Sequence, residues 1–91
     1  MALKLKRLDS AREITGVSRS GIYAGMKKGV FPPSIKLAGR TCAWLEHELE
    51  ALNAARMAGK SEAEIEEVIL ELVAKRPVKY VTLMRNMGTT E

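Results

Sequence analysis

Apolar positions change their spacing several times along this chain, and each change marks an element. Leu8, Ala11, Ile14 and Thr15 recur at helical intervals and form one face, which predicts a first helix over roughly residues 8–15. Ser10 with Glu13 makes an S-x-x-E capping box that would start this helix late, whereas the phase of Leu8 starts it a turn earlier; the sequence supports both starts. Gly16 stops it, because glycine enters the left-handed region at little cost. Val17-Ser18 then opens a second helix, with Ser18 as N-cap and Val17 able to staple onto Ile22. It runs to about Lys28 and ends at Gly29, and Lys27 and Lys28 suit the negative end of its dipole. Gly21 and Gly25 each cost this helix about 1 kcal/mol relative to alanine. It must therefore be held by packing of Ile22 and Met26, or by a partner.

Pro32-Pro33 forces extended backbone. Ile35 and Leu37, then Cys42 and Trp44, bracket Ala38-Gly39-Arg40-Thr41 and predict a two-stranded hairpin. Leu45, Leu49, Leu52 and Ala55 mark a third helix over about residues 46–58, ending at Gly59. Ser61 with Glu64 is a second capping box. Ile65, Val68, Ile69, Leu72 and Val73 form an apolar stripe on a fourth helix over about 62–76, stopped by Pro77, with Glu62, Glu64, Glu66, Glu67 and Glu71 on its other side. Residues 1–7 either pair as a short strand or stay loose. Val78 to Arg85 alternates weakly as a strand would, and Gly88 to Glu91 reads as a frayed end.

Helix, tight turn, helix and hairpin make the fold class mainly α with a small β-hairpin: a winged helix-turn-helix over residues 1–59, then a C-terminal helix and tail over 60–91. At 91 residues the chain is one small unit with a thin stability margin. Charge is uneven. Residues 1–40 hold nine Lys or Arg against Asp9 and Glu13, whereas residues 41–91 hold six basic and nine acidic residues. The first half is therefore suited to a polyanion and the second is not. Cys42 is the only cysteine, so no internal disulfide is available and a reducing compartment fits. No apolar run approaches a membrane span, and the basic start MALKLKR lacks the apolar core of a signal peptide; a cytoplasmic protein is expected.

A helix of this kind fits the major groove of double-stranded DNA, and its exposed side offers Arg19, Ser20, Tyr23, Lys27 and Lys28. Arg19, near the helix start, is suited to a bidentate guanine contact. The Ser18 and Ser20 hydroxyls, with the free N–H groups of the first turn, suit phosphate. Gly21 and Gly25 lie one turn apart, where they serve either close approach to phosphate or packing against the first helix. Tyr23 fits a core position with its hydroxyl at the surface somewhat better than it fits a phosphate contact. Lys36, Arg40 and Thr41 place charge and a hydroxyl along the hairpin and at its tip. Against all of these stands the plainer reading of a solvated basic face. Trp44 belongs in the core under the hairpin. His47 sits on an exposed helix beside Glu46 and Glu48, and with Cys42 it is too little for a metal site. No nucleophile set, phosphate-cradling loop or convergent carboxylate pair is present, so no enzyme activity, cofactor or small-molecule substrate is expected.

Thr15, Gly16, Val17, Ser18, Arg19, Ser20, Ile22 and Tyr23, followed by Gly29, Phe31, Pro32, Ile35, Lys36, Leu37, Gly39, Arg40 and Trp44, resemble in order and spacing the AlpA family of phage and prophage transcriptional regulators. These are small winged-helix proteins akin to phage excisionases and to the DNA-binding domains of MerR-type regulators. The resemblance covers about residues 7–55. It implies DNA binding through the Ser18–Lys28 helix and a Lys36–Thr41 wing, and a role in regulating phage-linked genes or in directing excision. Three positions depart from the family pattern: Gly21 replaces a threonine, Ala24 an arginine and Gly25 a bulky apolar residue. Residues 60–91 lie outside the resemblance. Their apolar stripe either folds back on its own domain or pairs with a second copy. With the winged core expected to be complete near residue 58, a homo-oligomer through residues 60–85 is favoured. The function expected is a sequence-specific transcriptional regulator. An excisionase-type protein that bends attachment-site DNA, or a protein-interaction adaptor on the same fold, are the alternatives.

Overall fold

The computed structural model describes residues 3–76. Their elements are β1 (Leu5–Lys6), α1 (Leu8–Thr15), α2 (Arg19–Lys28), β2 (Ile35–Lys36), β3 (Cys42–Leu45), α3 (Glu46–Met57) and α4 (Glu62–Ala74). The chain is mainly helical, with one small antiparallel sheet, as the winged helix-turn-helix reading anticipates. The expected strand at 78–85 and frayed end at 88–91 lie outside the described residues.

Helix α1 starts at Leu8, so the competition between its two starts goes to the Leu8 phase. Its N-cap, Arg7, makes no side-chain cap, and Ser10 and Glu13 lie inside the helix. Tertiary contact decides this: Leu8 packs against the core and Ala11 is fully buried in it. Gly16, at φ 72°, ends the helix and donates its N–H to the Arg12 carbonyl at 2.8 Å. The Ile14 carbonyl, otherwise an orphan of the last turn, accepts from the Asn53 side chain of α3 at 2.8 Å.

Helix α2 follows after three residues. The Ser18 hydroxyl caps it by accepting from the Gly21 N–H at 3.1 Å. At its other end Gly29, at φ 83°, donates to Met26 and Val30 donates to Gly25, the paired bonds of a Schellman motif. Ile22 is fully buried beneath it. Gly25 is buried against Phe31, where a Cβ would stand 3.0 Å from the Phe31 Cβ. At Gly21 a Cβ would stand 2.8 Å from Val17 and 3.1 Å from the Ser18 hydroxyl. Both glycines thus answer to packing, but against Val17, Ser18 and Phe31 rather than against the first helix.

The hairpin is present, with Ile35 opposite Ala43 and Lys36 opposite Cys42. Only Gly39 in its turn has positive φ, at 62°, a conformation glycine adopts at little cost. Residues 5–6 take the free edge of β3, with Leu5 opposite Leu45 and Lys6 opposite Trp44, so the sheet has three strands in the order β1-β3-β2. Trp44 is fully buried under it, with Phe31 edge-on at 6.4 Å.

Helix α4 completes this core. Ile65 and Ile69 are buried in the same cluster as Trp44, Leu49 and Leu52, and Val68, Leu72 and Val73 pack against it. The core is therefore not closed at residue 58, and the stripe expected to meet a second copy is occupied within the chain. The full capping box forms at Ser61 and Glu64. The helix ends at Ala74, two residues short of expectation, in a tightened turn where Lys75 donates to Glu71 and Leu72 and Arg76 to Val73.

Gly25→Ala should destabilise the protein by about 1–3 kcal/mol in urea unfolding, because Phe31 is wedged between α2 and Trp44 and cannot give way; the strain outweighs a gain in helix propensity of about 1 kcal/mol. A stabilised variant would show that Phe31 yields. A second expectation concerns acid. The Ser61 N–H, then the Ser61 hydroxyl and the nearby Lys60, hold the Glu64 carboxyl below the usual range. A depressed folded-state value adds stability above the unfolded value and loses it as pH falls through the carboxylate range. Helicity followed by circular dichroism should therefore fall less on acidification in Glu64→Gln than in the parent.

Candidate nucleic-acid interface

Exposure along α2 follows a strict helical rhythm. Arg19, Ser20, Tyr23, Ala24, Lys27 and Lys28 are exposed, Gly21 and Met26 are half-buried, and Ile22 and Gly25 are buried. The helix therefore presents one continuous outer face of three residue pairs, each a turn from the next. No acidic residue occurs on the helix. Tyr23 lies on this face at 43 % exposure, so it is a surface residue and not a core residue with a wet hydroxyl. The Arg19 guanidinium stands 6.0 Å from the centre of its ring. At an exposed site such a contact is worth about 0.5–1 kcal/mol, enough to bias the arginine toward a pose along the helix axis. Ala24 leaves the middle of the face bare.

At the helix start the Ser18 hydroxyl is occupied with the Gly21 N–H and lies 3.4 Å from the Ser20 hydroxyl. Ser20 itself is exposed, and among the described residues its hydroxyl makes no other hydrogen bond. Gly21 is committed to the cap. Of the two serines expected to bind phosphate, Ser20 is thus the freer, whereas Ser18 shapes the helix end.

On the hairpin, Lys36 and Arg40 are exposed and Thr41 is half-buried. Thr41 is tied into the turn by its backbone: its N–H donates to Ala38 and its carbonyl accepts from Leu37. Arg40 stands at the tip beside Gly39. Cys42 is half-buried and free, with its thiol 3.9 Å from the Arg40 carbonyl.

Ion pairing separates these cations from others. Lys6 pairs with Glu46, Arg12 with Asp9, Lys75 with Glu71 and Arg76 with Glu48. Among the described residues Arg19, Lys27, Lys28, Lys36 and Arg40 have no carboxylate partner, nor do Lys4, Arg7, Arg56 and Lys60. The glutamates of α4 are exposed, as expected of a solvated face.

Several polar contacts were not legible in the sequence. Glu48 is fully buried, not part of an exposed acidic helix face, and its carboxylate accepts from Arg76 Nε at 2.8 Å and Nη2 at 2.7 Å. The same Nη2 donates to the Pro33 carbonyl at 2.9 Å. One signal was available: Glu48 falls between Leu45, Leu49 and Leu52 on the apolar side of α3. His47 is half-buried, and its Nδ1, like Trp44 Nε1, is buried with no hydrogen-bond partner among the described residues. Among the described residues no group of three His, Cys, Asp or Glu could hold a metal ion. No helix there is long and apolar enough to cross a membrane.

A family model described as prophage CP4-57 regulatory protein (AlpA) matches residues 4–57, from β1 through α3. A protein of Enterobacteria phage P4, named uncharacterized protein ORF88, is 43 % identical over 54 residues, which cover 59 % of this chain and 61 % of that one. The chain thus matches about three fifths of the relative's length. No solved structure matches it.

Proposed function

The chain belongs to the AlpA family of prophage regulatory proteins, and on that premise we propose that it is a sequence-specific DNA-binding regulator of a phage or mobile element. The α2 helix enters the major groove, and the β2–β3 wing lies on the adjacent backbone or minor groove. The observation that carries this reading is the outer face of α2. It holds exposed Arg19, Ser20, Tyr23, Lys27 and Lys28 with no acidic residue on the helix, and the wing brings two further cations that have no carboxylate partner among the described residues. Cations left without internal partners keep their full charge for phosphate, and each phosphate neutralised releases counterions.

Roles divide by position. Arg19 sits in the first turn, where a helix inserted by its N-terminal end brings side chains to base edges. Lys27 and Lys28 lie at the far end, where the helix leaves the groove, and they suit phosphates. Arg40 at the wing tip reads charge and groove width, not base identity.

Arg19→Ala should cost about 1–3 kcal/mol on the preferred duplex and relax base choice, whereas Arg40→Ala should weaken binding to all duplexes more evenly. Anisotropy titrations on sites selected from a random library check both. Equal affinity of the Arg19→Ala variant and the parent for the best site would refute the role of α2. With five cations engaged, log affinity should fall with log salt at a slope of about 4–5. No binding to any duplex at about 50 mM salt would reject the DNA reading and leave an adaptor working through the acidic face of α4. Circularly permuted duplexes of altered gel mobility would instead favour an excisionase-type bend.

A further inference from the structure

The segment outside the matched family region reaches back to the site. Arg76 follows the end of α4, 19 positions past the last matched residue. Its guanidinium forms a fork with the buried Glu48 carboxylate, and Nη2 also holds the Pro33 carbonyl. Pro33 lies in the connector between α2 and β2, and therefore between the two parts of the interface.

That connector is held at three successive residues. Phe31 is buried between Gly25 of α2 and Trp44 of β3. Pro32 is fully buried. Pro33 cannot be tied down through an N–H, since proline has none, so its carbonyl is the polar handle left. The guanidinium that takes it is itself fixed by a carboxylate on the first turn of α3, the helix that continues directly from β3. Arg76 thereby bonds at once to the strand–helix unit carrying one side of the wing and to the connector leading into the other side.

We infer that Arg76 is a positioning residue for DNA binding: by clamping the Pro33 carbonyl to the Glu48 carboxylate it sets the wing relative to α2, without touching DNA. The inference rests on the reading of α2 and the wing as the DNA interface. A lysine at this position keeps the charge but cannot span both carboxylate oxygens and the carbonyl with one planar group. Charge alone is thus separable from the clamp.

The full chain carrying Arg76→Lys, and a second variant in which both partners become apolar, Glu48→Met with Arg76→Met, should fold; the pair is included because removing both charges leaves no buried carboxylate stranded. Folding is checked by circular dichroism, and amide exchange is read at Leu37 and Thr41. Both variants should exchange these wing amides faster while α3 stays protected. Both should bind the selected duplex about tenfold more weakly or worse, and in either background Arg40→Ala should cost little more, whereas Arg19→Ala should keep its full cost. A general loss of stability would not single out the wing in this way. Full additivity of the Arg76 and Arg40 changes, or unchanged wing exchange, would overturn the inference and leave the DNA reading intact. A parent that binds no duplex would remove both.

Discussion

The arrangement of this small protein hangs on one buried ion pair. Glu48 gives up all of its solvent, and Arg76 most of its own, for a fork of two charge-assisted bonds and a third to Pro33. Such a pair is poor value as stability, because desolvating two charges costs about as much as their attraction returns. Its value is geometric. A hydrophobic contact between the same elements could slide; a planar guanidinium between a carboxylate and a carbonyl admits one register. The pair joins α4, α3 and the α2–β2 connector, whereas Trp44, Phe31 and Ile22 fill the space between them.

Electrostatics on the outside follow the opposite logic. The interior carboxylate is matched to a single partner, while the cations of α2 and the wing have none among the described residues. A protein that must meet a polyanion benefits from this division. Internal pairs fix the shape, and among the described residues the surface cations of α2 and the wing are not tied up in ion pairs. Five of the eleven acidic residues lie on the exposed side of α4, away from the core-facing stripe of Ile65 and Ile69.

Much of this was legible in the order of residues, and what was not has a common cause. Caps at Ser18 and Ser61, stops at Gly16 and Gly29 and the turn at Gly39 are local devices, each read from a few neighbours. The outer face of α2 follows from helical periodicity, except at Tyr23, which the sequence favours for the core and the structure places at the surface. The failures are mostly contacts between residues far apart in sequence, Asn53 with Ile14 and Glu48 with Arg76, together with the shorter-range fit of Gly25 against Phe31. Their polar members have no periodicity to announce them, and a glycine announces only permission. The α4 stripe was correctly placed but misassigned, since an apolar face carries no information about which chain will cover it. The start of α1 was settled by packing, with the Ser10–Glu13 box overridden by burial of Leu8 and Ala11.

Ala24 gains meaning from this scaffold. It is fully on the outer face of α2, between Arg19 and Lys28, and the folding devices around it (the Ser18 cap, Ile22, the Gly25–Phe31 contact) never call on its side chain. Almost any residue with fair helix propensity could replace it without disturbing the core. On the proposed reading this is an unwritten position in the recognition surface. A single codon change there could add a base contact and turn the protein toward a new operator, so that its lineage could follow a drifting target without renegotiating the fold.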